Sequence, residues 1–283
     1  MKLEVTNVSI QARHHKIVED LSMTLEQGEL VGLIGPHGAG KSTLLRSIIG
    51  AGNPSTGGFA LDGVPLSELS ALQRARRLAY LPQERHVEWQ LPARAVVMLG
   101  RFPYRHGFAP TAAEWEAAVD RALAEVEAAS FAQRSVTSLS GGERARILLA
   151  RALAVEAPLL MADEPIAELD PYHQIHVMEI LRDKANEGCG VLAVLHDLTL
   201  AARFMDRLIL IDQGQVVAEG RPDQVLSDAN LQTVYRISTL QECTSSGPLV
   251  LPWQRTDRES PVSYTHLRAH ETDSYLVCRL LLE

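Results

Sequence analysis

The sequence is poor in cysteine, in positive charge and in long apolar runs, and each shortage removes a class of protein. Its three cysteines, Cys189, Cys243 and Cys278, are odd in number, far apart and free of any C-x-x-C pattern. They indicate neither a disulfide framework nor a zinc site, and they favour a reducing compartment. With 35 acidic against 27 basic residues, the formal net charge of −8 argues against a general nucleic-acid or anionic-lipid binder.

Apolar stretches long enough to cross a membrane are also missing. The best candidate, "ILLARALAVEAPLLMADEP", is interrupted by Arg151, Glu156 and Asp163, which predicts a chain that does not span a membrane. The first residues, "MKLEVTNVSIQARHHK", have no apolar core of the kind that a signal peptide needs, and they predict a protein that is not exported.

What is present is the composition of a globular protein: 46% of the 283 residues are hydrophobic and 22% are charged. Short apolar runs recur between helical patterns, at 29–35, 77–83, 158–165, 190–197 and 207–214. Because they are apolar at both odd and even positions, they predict strands that are buried on both faces of a mainly parallel sheet. Residues 1–10 and 57–63 alternate more cleanly and predict antiparallel strands beside that sheet.

The stretch of about 84–138 has few strand signals and predicts a helical subdomain. Thr111 and Glu114 have the spacing of a capping box, and one helical stripe follows, formed by Trp115, Val119, Ala122 and Val126. We therefore divide the chain into a domain at 1–240 and an extension at 241–256. Residues 257–283 lack any period and resemble a translated adaptor or vector tail; a disordered extension is the alternative, and function is argued without them.

A glycine-rich string, "GPHGAGKS", matches the phosphate-binding pattern G-x-x-x-x-G-K-[ST]. It follows an apolar run and opens a helical one, "KSTLLRSIIG", which is the order of strand, loop and helix that the mechanism requires. Backbone N–H groups of such a loop surround phosphates, its lysine reaches the β- and γ-phosphates, and its serine can ligate Mg²⁺. The predicted ATP-binding residues are Gly35, Pro36, His37, Gly38, Ala39, Gly40, Lys41, Ser42 and Thr43.

Two acids end the apolar run "LLMADE". At the carboxyl edge of a parallel sheet, Asp163 can face the Mg²⁺ and Glu164 can act as general base on a water in line with the γ-phosphate. His196 ends the run "VLAVLHD" and either hydrogen-bonds the γ-phosphate or is merely structural. Gln83 ends "RLAYLPQ", and as a lone glutamine it is a weak signal for a contact with Mg²⁺ or with the attacking water.

Together, "GPHGAGKS", "LPQ", "LSGGE", "LLMADE", "LD" and "LHDL" occur in an order that resembles the ATP-binding cassette ATPases, over residues 1–255. The resemblance implies an α/β fold: a P-loop NTPase, RecA-like core with a mainly parallel sheet, an antiparallel β subdomain and a helical subdomain. It also implies a head-to-tail homodimer with ATP and Mg²⁺, in which each copy covers the nucleotide of the other. The residues that it assigns to the partner's ATP are Ser140, Gly141, Gly142, Glu143 and Asp170.

Further strings, such as "LGRFPY" and "DEPIAELDPYHQ", resemble the importer branch that serves iron-siderophore, haem and cobalamin transporters. That resemblance implies a peripheral subunit at the cytoplasmic face of the inner (plasma) membrane, with membrane permeases docking near Gln83 to Arg105. An extracytoplasmic substrate-binding protein is an indirect partner, and nucleic acid is not a partner. The alternatives are a packed helical insert without a permease contact, a non-transport ATPase of DNA repair or translation, and a non-hydrolysing regulator.

Two residues depart from the pattern of the family, and one pair of histidines has two possible interpretations. Ala12 stands where an aromatic residue usually stacks on adenine, so that stacking falls to residues 13–15 or is lost, and nucleotide affinity should be weaker. His37 stands where asparagine is frequent. His173 and His176 share a helical face, and we interpret them as surface or dimer contacts rather than metal ligands.

Overall fold

The computed structural model describes residues 1–12, 15–84, 90–105, 111–244 and 247–256. Within them the strands are β1 (Lys2–Ala12), β2 (His15–Glu26), β3 (Leu30–Ile34), β4 (Thr56–Leu61), β5 (Val64–Pro65), β6 (Leu78–Leu81), β7 (Leu159–Asp163), β8 (Gly190–Val194), β9 (Arg207–Asp212), β10 (Gln215–Gly220), β11 (Ile237–Thr244) and β12 (Gly247–Arg255). The α-helices are α1 (Lys41–Ile48), α2 (Ala71–Ala75), α3 (Ala93–Met98), α4 (Ala112–Glu125), α5 (Gly141–Leu153), α6 (Pro171–Asn186), α7 (Leu198–Phe204), α8 (Pro222–Val225) and α9 (Asp228–Tyr235). Turns of 3₁₀-helix lie at Leu66–Glu68, Leu99–Tyr104, Ala129–Phe131 and Val136–Ser138.

The central sheet has the order β10-β9-β3-β8-β7-β6 among the described strands. Every neighbouring pair from β9 to β6 is parallel, and β10 closes the other edge antiparallel to β9. Strand β3 is buried on both faces, because Leu30 and Ile34 enter one core while Val31 and Leu33 enter the other. The predicted mainly parallel sheet with two covered faces is therefore confirmed.

A second, antiparallel sheet has the order β2-β1-β4-β5, and it confirms the strands predicted at 1–10 and 57–63. Strand β2 was not predicted, although it buries Val18, Leu21, Met23 and Leu25. Its alternation is interrupted between Val18 and Leu21, where the pairing with β1 shifts and Asp20 has a φ of 49°. A bulge of this kind hides a strand from a period-two pattern.

Helix α1 lies in the core between the two sheets. Leu44, Leu45 and Ile48 are fully buried in the same cluster as side chains of β1, β2 and β3. Burial of a leucine or isoleucine side chain contributes about 1.5–3 kcal/mol. This packing fixes the helix start against the end of β3, which is where the phosphate-binding string lies.

The predicted helical subdomain contains α3 and α4, and both of these helices contact α5. The capping box is present, since the Thr111 hydroxyl accepts from the Glu114 N–H and the Glu114 carboxylate accepts from the Thr111 N–H. Val119, Ala122 and Val126 of the predicted stripe are buried.

The chain continues into a hairpin of β11 and β12, which packs on α7. The tail expected at 257–283 lies outside the described residues. Among the helices that are described, none combines the length and the apolar composition that a membrane crossing requires.

Candidate functional site

The phosphate loop joins the end of β3 to the start of α1, and glycine is required at both of its ends. Gly35 has a φ of 151°, and an added Cβ would lie 2.0 Å from the Ile211 carbonyl oxygen. Gly40 has a φ of 98°, and an added Cβ would lie 2.6 Å from the Ile17 carbonyl oxygen. Backbone strain and close approach therefore both select glycine, which bends the loop around the helix start.

Lys41 is 6% exposed and folds back along this loop. Its Nζ donates to the carbonyl oxygens of Gly35 at 2.7 Å and Pro36 at 2.8 Å. Burial lowers the pKa of Lys41, and the nearby carboxylates of Glu164 and Asp163 act in the opposite direction. A desolvated ammonium that is held by loop carbonyls is placed to exchange those contacts for phosphate oxygens.

Asp163 is the last residue of β7 and is fully buried. Its Oδ1 accepts from the Ser42 hydroxyl at 2.9 Å, and its Oδ2 lies 3.4 Å from the Tyr80 hydroxyl. Desolvation raises the pKa of Asp163, while the hydrogen bond from Ser42 lowers it. A buried carboxylate and a hydroxyl in contact are a donor set that suits Mg²⁺, which prefers oxygen ligands.

Glu164 follows Asp163 with a φ of 52°, in the left-handed region that a side chain other than glycine rarely occupies. Its Oε1 lies 2.8 Å from His196 Nε2, so that a side-chain hydrogen bond links the segments that follow the paired strands β7 and β8. Strained backbone of this kind concentrates at functional sites.

Lys41 and Glu164 border one cavity of about 350 Å³. Its lining combines the phosphate loop with three side chains from elsewhere in the chain: Ile17, His37, Gly38, Ala39, Gly40, Lys41, Ser42, Thr43, Gln83 and Glu164. The remaining predicted residues are hydrogen-bonded to residues that line the cavity. Gly35 and Pro36 contact Lys41. Asp163 contacts Ser42, and His196 contacts Glu164. The structure thus brings together every predicted ATP-binding, metal-binding and catalytic residue of one chain.

The residues assigned to a partner's nucleotide lie elsewhere and do not line this cavity. The Ser140 hydroxyl accepts from the Glu143 N–H at 3.2 Å at the start of α5, and Asp170 caps α6 by accepting from the His173 N–H at 3.0 Å. Added Cβ atoms at Gly141 and Gly142 would approach Glu168 and Leu169. The start of α5 and the segment that leads to Asp170 therefore form one exposed surface.

Sequence reasoning missed two side chains of the site. Ile17 lines the cavity from β2, and Tyr80 reaches Asp163 from β6, the strand beside β7. The run at 77–83 was interpreted as a buried strand, and this pattern does not predict that the Tyr80 hydroxyl makes a polar contact. Ala12 ends β1 and His15 begins β2, whereas the other residues expected to stack on adenine, at 13–14, lie outside the described residues.

The comparisons with known proteins agree with this geometry. The model of the family described as ABC transporter matches residues 18–167. The cobalamin import ATP-binding protein BtuD of Halobacterium salinarum is 43% identical over 236 residues, which are 83% of this chain and 59% of that protein. The hemin import ATP-binding protein HmuV of Rhodococcus jostii is 39% identical over 252 residues, 88% of this chain and 86% of that protein.

Solved structures show the same fold. A dimeric ATP-binding cassette in a post-hydrolysis state, bound to ADP and Pi, superposes with a TM-score of 0.71 at 28% identity over 78% of this chain and 98% of the other. A transporter described as of metal-chelate type, in an inward-facing conformation, gives a TM-score of 0.75 at 25% identity over 89% of this chain and 97% of the other. The chain belongs to the ABC transporter family.

Proposed function

We propose that this member of the ABC transporter family binds and hydrolyses ATP as the energising subunit of an importer for a metal chelate. The relatives are named for cobalamin and hemin import, and an iron-siderophore is a cargo of the same chemical class. The observation that carries the proposal is the separation within one chain. The phosphate loop, Gln83 and Glu164 border one cavity, and Asp163 reaches its edge through the Ser42 hydroxyl, while the start of α5 lies outside it.

In the proposed mechanism the triphosphate lies along residues 35–43. The start of α1 carries a partial positive charge of about half a unit, which attracts phosphate. Lys41 exchanges its two carbonyl contacts for the β- and γ-phosphates. Ile17 lines the same cavity and offers it an apolar side chain.

Ser42, Asp163 and Gln83 are the residues proposed to hold Mg²⁺. The 2.9 Å contact between the Ser42 hydroxyl and the Asp163 carboxylate supports this assignment, because both oxygens already converge on one point beside the phosphate loop. When it is bound, Mg²⁺ neutralises phosphate charge.

Glu164 is proposed as the general base. Its carboxylate borders the cavity and would accept the proton of a water that attacks the γ-phosphate. His196 is proposed to exchange its contact with Glu164 for the γ-phosphate when nucleotide enters. A positioned base typically contributes about 10² to 10⁴ in rate.

A second copy of the chain is proposed to complete the site. Ser140, Gly141, Gly142 and Glu143 would face the triphosphate of the partner, and Asp170 would cross the same interface. ATP would then hold the two copies together, because a γ-phosphate that a second helix start covers loses its water. Hydrolysis would loosen them, and this difference would drive transport.

We propose that permease subunits dock on the segment from Gln83 to Arg105. Within it, Leu99 and Phe102 are exposed apolar side chains, at 42% and 56% of their full areas. A pair of this kind suits an apolar partner. The subunit would therefore sit peripherally at the cytoplasmic face of the membrane, with an extracytoplasmic binding protein choosing the cargo. We also propose that the chain comprises a domain at 1–240, with a helical subdomain at about 84–138, and an extension at 241–256.

The decisive test is transport. The chain is co-purified with the permease of the neighbouring reading frames, placed in vesicles, and supplied with ATP and cobalamin, haem or a ferric siderophore. We expect one chelate to accumulate with the wild type and with the surface variant Glu68→Gln, but not with Glu164→Gln. Accumulation with Glu164→Gln at the wild-type level would contradict the proposal. So would a wild type that accumulates none of the chelates.

A further inference from the structure

His37 of the phosphate loop lies against the ring of His196. The two ring centroids are 4.6 Å apart, and the ring planes are inclined by 31°. On its other side, His196 contacts Glu164 through its Nε2 atom at 2.8 Å. Three side chains from three different segments therefore form a row, His37, His196 and Glu164, of which the first and the last line the cavity beside Lys41.

The backbone of His196 is fixed on both sides. Leu195 is fully buried and donates its N–H to the Leu33 carbonyl at 3.2 Å. Asp197 caps α7 by accepting from the Leu200 N–H at 2.7 Å. The position of the His196 Cα atom is thus set by the end of β8 and the start of α7.

The imidazole of His196 is held less firmly than its backbone. One third of the side chain is exposed, so that burial does not fix its torsions. Among the described residues, the ring accepts or donates one hydrogen bond with Glu164 and lies against the face of His37. In the proposed ATP-bound state, in which the γ-phosphate would replace Glu164 at the Nε2 atom, the ring face of His37 would still be in place to orient the imidazole.

We propose that His37 is a positioning residue that acts through His196. Its ring keeps the imidazole of His196 beside the phosphate loop, with the Nε2 atom directed towards Glu164 and the place of the γ-phosphate. This inference rests on the proposed ATP hydrolysis. Aromatic pairs at centroid distances of about 4.5–7 Å attract each other, and an asparagine at position 37 is too short to cover the ring.

The test compares His37→Asn with His37→Phe in steady-state ATP hydrolysis by the full chain. We expect His37→Asn to lower kcat about two- to tenfold, the size of one lost aromatic contact, while KM for ATP changes less than about twofold. His37→Phe keeps a ring face without the nitrogens, and it should restore more than half of the loss. An unchanged kcat in His37→Asn, or equal losses in both variants, would overturn the proposal.

A spectroscopic measurement separates this inference from the proposed function. In the nucleotide-free chain with labelled histidine, the ring-proton resonances of His196 should move in His37→Asn and remain near their wild-type position in His37→Phe. His176→Asn is the matched control, because His176 lies near another aromatic ring, that of Tyr172, with centroids 6.3 Å apart, and does not line the cavity. Resonances that do not respond to His37→Asn would exclude the stack, whereas a wild type without ATP hydrolysis would contradict only the proposed function.

Discussion

Two helices of this protein begin beside glycines, and their first turns are built in opposite ways. Helix α1 has Gly40 as its N-cap, makes no side-chain capping bond and has no acid in its first turn. Helix α5 has Ser140 as its N-cap and carries a complete capping box with Glu143. Both have the glycine-rich start that favours phosphate, yet only the first lines the cavity that Gln83 and Glu164 also border.

The two helices differ in which groups accept hydrogen bonds from their first backbone N–H groups. The first N–H groups of an α-helix need acceptors, and those of α1 receive none from a capping side chain, so an anion can satisfy them. In α5 the Ser140 hydroxyl and the Glu143 carboxylate already accept from backbone N–H groups. The N–H of Ser140 holds the pKa of Glu143 below its usual value, so this acid remains charged at the helix start. The start of α5 is therefore capped by its own side chains, while that of α1 has no side-chain cap and suits an anion.

The largest expected effect tests the α1 side. Glu164→Gln cannot accept a proton, and we expect ATP turnover to fall about 10²- to 10⁴-fold while ATP binding remains. Because ATP is bound but not hydrolysed, the dimer should persist in ATP when it is examined by size-exclusion chromatography. Glu68→Gln is the control for the same exchange at an exposed site. Turnover at the wild-type rate would remove Glu164 from its proposed role.

The second-largest effect is expected for Gly40→Ala, which should distinguish the start of α1 from that of α5. The new Cβ meets the Ile17 carbonyl at 2.6 Å, and the φ of 98° is unfavourable for alanine. Strain of about 1–3 kcal/mol should weaken ATP binding about 5- to 150-fold in calorimetric titration. At Gly142 an added Cβ has its nearest neighbour at 3.6 Å, so Gly142→Ala should leave the ATP affinity of the monomer unchanged. Equal losses in both variants would erase the distinction.

Ser140→Ala tests whether α5 serves a partner. Removal of this cap should cost about 0.5–2 kcal/mol in the free energy of unfolding and should slow hydrolysis about tenfold or more. ATP binding to the monomer should not change, because Ser140 lies outside the cavity of its own chain. The control is Ser70→Ala, which removes the same kind of capping box from α2. A weaker monomer affinity for ATP would show that Ser140 acts within one chain.

The smallest expected effect comes from Glu143→Gln. Glutamine preserves a capping box, but it removes a negative charge from the surface proposed to meet the partner's triphosphate. We expect the ATP-dependent dimer to form about two- to threefold more tightly at low salt, measured by analytical ultracentrifugation. Glu114→Gln makes the same change in the capping box of α4 and should not affect the dimer. A weaker dimer in Glu143→Gln would mean that its ion pair with Arg134 at 2.8 Å matters more than the charge.

Much of the fold followed from local patterns. The apolar runs at 158–165 and 190–197 became β7 and β8, because side chains buried on both faces leave no polar interruption. Strand β2 was missed, since the bulge at Asp20 breaks its alternation. Ile17 was missed because it lies in that strand. Tyr80 was missed because a tyrosine within an apolar run is interpreted as a core residue.

The sequence by itself determined the string that binds phosphate, the pair of acids after β7 and the capping signals of α4, because each depends on neighbours within a few residues. Tertiary structure alone decided that Ser42 meets Asp163, that His37 stacks on His196, and that α5 begins outside the cavity of its own chain. Those contacts join segments that lie far apart in the chain. Their distances arise from the order of the strands and the packing of α1 between two sheets, which no local pattern encodes.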